Sequence, residues 1–169
     1  MLYEGNISLL KNNELALLER SLLGLQKNLE VPQEHLLSLQ QEQPIRSDLK
    51  ASETSGLKSM ENSFASLLNR NANYAQVRWI DQEGQERLRV EPIANERYGY
   101  HRVPDDALQN KINRYYVQET MTLENPLQLY ISPIDLNVEH GEIERPFRPM
   151  LRMAAQLWDQ EQPKGVIVI

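Results

Sequence analysis

With 169 residues and no cysteine, the chain has the size of one domain, or of one domain with a helical appendage, and it has no disulfides, thiolate nucleophiles or cysteine metal sites. Its formal net charge of −6 excludes a general nucleic-acid binder, which needs a dense basic stripe to neutralise phosphates. No apolar run approaches the roughly 20 residues that cross a bilayer, and MLYEGNISLL lacks the basic-then-apolar layout of a signal peptide, so the chain as given reads as soluble.

The amino-terminal part, to residue 72, reads as a helical region. Leu15, Leu18, Leu22, Leu25 and Leu29 recur at intervals of three, four, three and four, forming one stripe of a helix opened by Asn12 or Asn13 and Glu14. Leu17 and Leu23 widen the stripe. A wide stripe favours packing on the chain's own domain over a coiled-coil seam, with a homodimer through this helix as the lesser alternative. Val31 and Pro32 interrupt the pattern, although Pro32 also suits the start of a short continuation from His35 to Gln41. After the polar stretch Gln41 to Asp48, a second helix buries Leu57, Met60, Phe64, Leu67 and Leu68 and ends near Asn71.

From Tyr74 the period changes to two, and residues 73–169 read as the sheet-bearing domain. YAQVRWIDQEGQERLRVE is strand, turn and strand, with the turn at Asp81 to Gly84. If that loop holds four residues, position n faces position 167 − n. Val77 then meets Val90 and Trp79 meets Leu88, which makes one face apolar. The other face sets Gln76 against Glu91 and Arg78 against Arg89, and two opposed cations cost stability unless an anion lies between or beside them.

Residues 92–126 are less regular: Tyr98, Gly99 and Tyr100 suit a loop, Asp105 and Asp106 open a short helix at Ala107, and NRYYVQETM continues or follows it. Gln128 to Ser132 is an edge strand, kinked where Pro133 supplies no ladder donor. His140 and Gly141 make a turn, and MLRMAAQLWD places Leu151, Met153, Ala155 and Leu157 opposite Arg152, Ala154 and Gln156. The closing GVIVI suits a central strand, and its apolar end without a polar tail reads as a cut from a longer protein. Helices followed by strands of this kind give an α+β fold, an antiparallel sheet of about five strands with a long N-terminal helix packed on one face.

By alternation Arg78, Arg89, Tyr130 and Arg152 share the face opposite the apolar one. Guanidinium groups in a partly dry groove grip carboxylates through paired, charge-assisted hydrogen bonds, so a small organic anion or amino acid is the expected ligand. The plain alternative is that these arginines pair with Glu91, Asp135 or Glu119, or face water. Of the neighbours Tyr115 and Tyr116 only one can point fully inward, and Tyr98 and Tyr100 line a lid loop or cap the core. His35, His101 and His140 lie in separate segments without metal-ligand spacing, and Glu142 and Glu144 read as a solvated edge. There is no Gly-x-Ser-x-Gly and no phosphate-binding glycine loop, so neither an enzyme, a metal nor a cofactor is expected.

YAQVRWIDQEGQERLRV, NRYYVQETM and LYISPIDLNVEHGEIERPFRPMLRMAAQLWDQEQPKGVIVI, in that order, resemble the extracytoplasmic Cache domains, PAS-like sensor modules of bacterial transmembrane receptors. The resemblance runs from about Tyr74 to the end, and the long helix is also what such domains carry. It implies the membrane-distal half of a double Cache sensor on the periplasmic or extracellular side, anchored by spans absent from this chain. The output would be a histidine kinase, a diguanylate cyclase or a chemoreceptor. It also implies a ligand under the helical excursion and loops, which adds Tyr98, Tyr100, Arg114, Tyr116 and Asp135 to the candidate site. The amino-acid-binding subfamily carries an Arg-x-Trp-Tyr cluster and a later aspartate. Here Arg114, Tyr115 and Tyr116 match in part, without the tryptophan, and Asp135 lies where an amine-binding acid would. The competing readings are a structural or dimerisation module that binds no small molecule, and an intracellular PAS-like domain.

Overall fold

The computed structural model describes residues 2–50, 57–94, 96, 99–139, 141–159 and 161–169. Residues 1–34 form one compact unit and His35–Ile169 a second, with helix α1 (Leu2–Gln41) contributing to both. In the first unit Leu15, Leu17, Leu18, Leu22, Leu23 and Leu25 are each more than half exposed. In the second unit Leu36 and Leu39 in the last turns of α1 are buried, and α2 (Gln43–Lys50) and α3 (Lys58–Arg70) pack against the apolar side of the sheet.

Pro32 does not end α1. A proline inside a helix forfeits one backbone bond, and burial of Leu36 and Leu39 in the turns beyond it offsets that loss. The stretch Gln41 to Asp48 is largely helical, because Ile45 is fully buried and anchors one side of α2. Asp48 accepts the Met60 backbone N–H at 2.7 Å, so α2 satisfies a donor in the first turn of α3. In α3, Met60, Phe64, Leu67 and Leu68 are buried, and Asn71 closes the helix as expected.

The main sheet has six strands in the order β3-β2-β1-β10-β9-β4, and all its pairings are antiparallel. They are β1 (Val77–Ile80), β2 (Glu86–Pro92), β3 (Tyr100–Arg102), β4 (Leu129–Ile131), β9 (Met153–Asp159) and β10 (Gln162–Val168). The strand beyond the expected five is β3, which begins at Tyr100, a residue expected in a loop. The short strands β5 (Asp135–Leu136) and β8 (Pro149–Met150) pair with each other, as do β6 (Val138–Glu139) and β7 (Glu142–Ile143). The turn expected at His140 and Gly141 lies partly outside the described residues.

Val77 faces Val90, Arg78 faces Arg89 and Trp79 faces Leu88, the register expected from alternation. Beyond Trp79 the register shifts, and Ile80 faces Glu86. This bulge returns Glu86 to the side of Ile80 and Arg78, whereas unbroken alternation would leave it beside Leu88 and Val90.

The sheet therefore has two buried sides. On one, Val77, Leu88, Val90, Leu157 and Ile167 lie under α2 and α3. On the other, Ile80, Ala154, Val166 and Val168 pack with Tyr116 and Val117 of α4 (Tyr115–Met121). The central strand β10 reaches both cores, which accounts for its unbroken apolar run.

At Gly165 φ is +120°, and an added Cβ would come within 2.0 Å of the Ile80 carbonyl oxygen. Gly165→Ala is expected to destabilise the fold by more than about 1 kcal/mol, seen as a lower urea midpoint with an unchanged m-value.

Candidate functional site

Following the pairings, one row across the sheet reads Arg89, Arg78, Val168, Ala154 and Tyr130. This is the side occupied by α4. Arg78 is 2% exposed, and its Nη1 donates to Glu86 Oε1 at 2.6 Å. Arg89 Nη1 donates to Glu86 Oε2 at 3.4 Å, and its Nε lies 3.1 Å from Glu91 Oε1. The Gln109 backbone N–H adds a third donor to Glu86, at 3.0 Å. The anion that makes two facing arginines tolerable is thus a fully buried glutamate carried in by the bulge.

A second cluster forms where the chain leaves β4. Ser132 N–H donates to the Arg152 carbonyl, and Ser132 Oγ accepts the Arg152 N–H at 2.9 Å, fixing Arg152 just ahead of β9. One Nη of the buried Arg152 guanidinium donates to Asp135 Oδ1 and the other to Asn137 Oδ1, at 3.1 Å for Asn137. Its Cζ stands 5.3 Å from the Tyr116 ring centroid. Tyr115 Oη donates to Asp135 Oδ2 at 2.6 Å, and the Tyr115 ring meets Tyr116 and Tyr130 edge-on, with centroids 5.7 and 6.5 Å away.

Burial pushes the Asp135 carboxyl upward, but the Tyr115 hydroxyl and the Arg152 and Arg114 guanidinium groups outweigh it and hold the carboxyl below the usual aspartate range. Burial, followed by the hydrogen bond to Asp135, raises Tyr115.

Of the expected site residues, Tyr116, Tyr130, Asp135 and Arg152 come together in this cluster. Arg114 stands at its rim, with Cζ 5.8 Å from the Tyr116 centroid. Arg78 and Arg152 both line a cavity of about 220 Å³, together with Tyr74, Gln76, Met150 and Val168. Arg89 shares Glu86 with Arg78 and lies on the same row of the sheet. Tyr100 lies on β3, at the opposite edge of the sheet from Tyr130, so it is not brought to this cluster. Tyr98 lies outside the described residues. Among the described residues no group of three or more His, Cys, Asp or Glu could hold a metal ion.

Three contributors escaped the alternation argument. Glu86 was hidden by the bulge. Tyr115 points sideways along the sheet to Asp135 while Tyr116 goes inward. Asn137 links Arg152 to Glu144, donating to Glu144 Oε2 at 2.9 Å, and nothing in its spacing marks it.

A PAS-like antiparallel sheet with a long N-terminal helix and a polar, arginine-bearing side defines the class of protein. The family model for the bacterial histidine kinase sensor domain matches residues 10–169, and the chain belongs to that family. It is a sensor domain. The sequence has no match among curated proteins.

Among solved structures, the extracellular domain assigned to the histidine kinase vpHK1S-Z8 is 23% identical, with a TM-score of 0.74 over 88% of this chain and 51% of that one. A domain assigned to a sensory box/GGDEF family protein from Vibrio parahaemolyticus gives the same identity and TM-score, over 54% of its length. The ligand-binding domain of the Campylobacter jejuni chemoreceptor Tlp3, in complex with L-valine, is 11% identical, with a TM-score of 0.62 over 85% of this chain and 52% of that one. The chain thus spans about half the length of the structures it resembles.

Glu86→Gln removes the carboxylate charge that two buried guanidinium groups share, and is expected to cost about 3–5 kcal/mol in urea unfolding. Asp135 titrates lower folded than unfolded. Its contribution is therefore complete above the usual aspartate value, about 3.9, and is lost as pH falls through its folded value. The stability gap between wild type and Asp135→Asn should narrow as unfolding is measured from pH 6 down to pH 2.

Proposed function

We propose that the chain is the extracytoplasmic sensing half-module of a membrane-anchored receptor, and that it receives a small organic anion or amino acid on the polar side of its sheet. The observation that carries this reading is the shared cavity: two buried guanidinium groups, Arg78 and Arg152, border one hollow opposite the side covered by α2 and α3. Charge-assisted bonds of this type favour carboxylates. Tyr116, Tyr130, Asp135 and Arg114 would complete the wall, and Arg89 would act behind Arg78 through Glu86.

Support also comes from the neighbours. Tlp3's domain is seen with L-valine and with isoleucine, both of which carry a carboxylate. The half-length match fits one lobe of a double module, with the membrane spans and the output enzyme elsewhere in the receptor. Among the described residues no helix is long and apolar enough to cross a membrane. In this reading the division into helical residues 1–72 and sensing residues 73–169 separates transmission from reception, and the domain itself performs no chemistry.

A path for the signal leaves the cavity wall at Tyr74, whose hydroxyl lies 2.8 Å from His35 Nδ1 on α1. A ligand shifts two states only by its difference in affinity between them. Movement of the wall would therefore be read at His35 and carried by the helix.

A second reading, a dimerisation module, is favoured by one observation, the exposed leucines of α1. The two readings are compatible if the helix pairs with that of another copy.

A thermal-shift and calorimetric screen of carboxylates and amino acids tests the first reading. A true ligand at a hundred times its Kd adds about 2.7 kcal/mol of stability. Arg152→Gln is expected to weaken it at least tenfold, and a screen without a hit removes the proposed anion or amino-acid ligand. For the second reading, Leu18→Glu with Leu22→Glu should abolish any concentration-dependent dimer in sedimentation. An unchanged dimer, or a wild-type monomer at high concentration, rejects it.

A further inference from the structure

Arg152 is held as though a carboxylate ligand were already bound. Its guanidinium side chain is 4% exposed, one Nη donates to Asp135 Oδ1, and the other is satisfied by Asn137. The second oxygen of Asp135 takes the Tyr115 hydroxyl at 2.6 Å. A cation and a hydroxyl therefore converge on the two oxygens of one carboxylate, beside an aromatic face and a cavity.

The residue that supplies this carboxylate is lightly anchored. Asp135 lies on β5, a strand of two residues that among the described residues pairs with the two residues of β8 alone. It follows Ile134, which is 71% exposed, and its own side chain is 30% exposed. Arg152, by contrast, is fastened through its backbone to Ser132 at the edge of the main sheet.

We infer that Asp135 is an internal stand-in for the ligand, and that the natural ligand is a small organic acid whose carboxylate displaces Asp135 from Arg152 and Tyr115. This rests on the sensing role proposed above and deepens it. Exchange of one carboxylate for another keeps the buried guanidinium neutralised at every stage except the crossing, so binding carries no new desolvation of an unpaired charge. A neutral compound offers no such exchange. An anion that enters without displacing Asp135 meets a like charge. Displacement frees β5 from its pairing with β8, which converts occupancy into a change of shape.

The opposing mode is concrete. An amino acid whose ammonium group pairs with Asp135 needs that residue in place, so the two modes respond oppositely to its removal. Competition from an internal group lowers apparent affinity by the fraction of sites it leaves open, and deleting it restores that factor.

Asp135→Ala is compared with wild type and with Asp135→Ala/Arg152→Gln, by thermal shift and calorimetry with sodium acetate, formate and propionate against sodium chloride at equal ionic strength. The expected result is that Asp135→Ala melts below wild type and recovers saturably with acetate. Its acetate Kd should be at least tenfold tighter than that of wild type, with no response in the double variant. If Asp135→Ala does not fold, Asp135→Asn, which keeps the shape and removes the charge, is the variant measured.

Absence of any carboxylate response beyond that of chloride overturns the inference. So does a response that survives loss of Arg152. If wild type binds an amino acid and Asp135→Ala loses it, the sensing role stands and the stand-in falls. If Asp135→Ala takes acetate while no compound binds wild type, the seat exists and the sensing role falls.

Discussion

The structure depends on a charge arrangement that most sheets avoid. Arg78 and Arg89 face each other across β1 and β2, both buried, on the side where a second apolar core also forms. At that depth repulsion between guanidinium groups is not quenched by water; Glu86 offsets it by giving an oxygen to each, and Glu91 adds a second carboxylate beside Arg89. Glu86 can do so because the register slips beyond Trp79. A bulge of one residue thus places the carboxylate between the two guanidinium groups, on the side of the sheet where α4 packs.

From that constraint follows a division of labour between the two sides. Under α2 and α3 the contacts are dominated by large apolar side chains such as Phe64, Leu88 and Leu157, the kind of packing that opens last. On the other side the apolar cluster is small and is surrounded by arginines, tyrosines and short strands of two residues. Regions with few buried contacts and many polar partners have the lowest local stability, and elements that move on binding are drawn from them.

Much of this was readable from the residues, and the failures have specific causes. The facing pairs of the hairpin, the buried side of α3, the central place of β10 and the kinked edge at Ser132 and Pro133 all follow from period and turn chemistry, because each depends on local sequence alone. Glu86 was missed because a bulge reverses alternation without changing composition. The continuity of α1 through Pro32 and the helix at Gln43–Lys50 depend on the anchors Leu36, Leu39 and Ile45, whose value appears only once a sheet exists to receive them. Strand β3 forms because β2 offers it an edge. The leucine spacing in α1 predicts the helix, which forms, but periodicity cannot say what covers a stripe. For the site, residue types were legible and partners were not: arginines announce a taste for carboxylates, while the choice between a neighbour's carboxylate and a guest's is made by tertiary geometry.

That last distinction bears on how such a domain could be switched at all. Swinging a population from 1:99 to 99:1 takes about 5.5 kcal/mol of differential binding, more than a few contacts to a small molecule readily supply if each must also remove a charge from water. A site whose cation is already dehydrated and paired changes the balance. The large desolvation cost is met on folding and is common to both states, so it cancels in the comparison that the ligand makes. What remains is the difference between two ways of satisfying Arg152, one tethered to β5 and one free. In the proposed exchange, small differences of that kind would lie within reach of a single carboxylate and its immediate neighbours, and they would give a graded output without any part of the helical side of the sheet having to unpack.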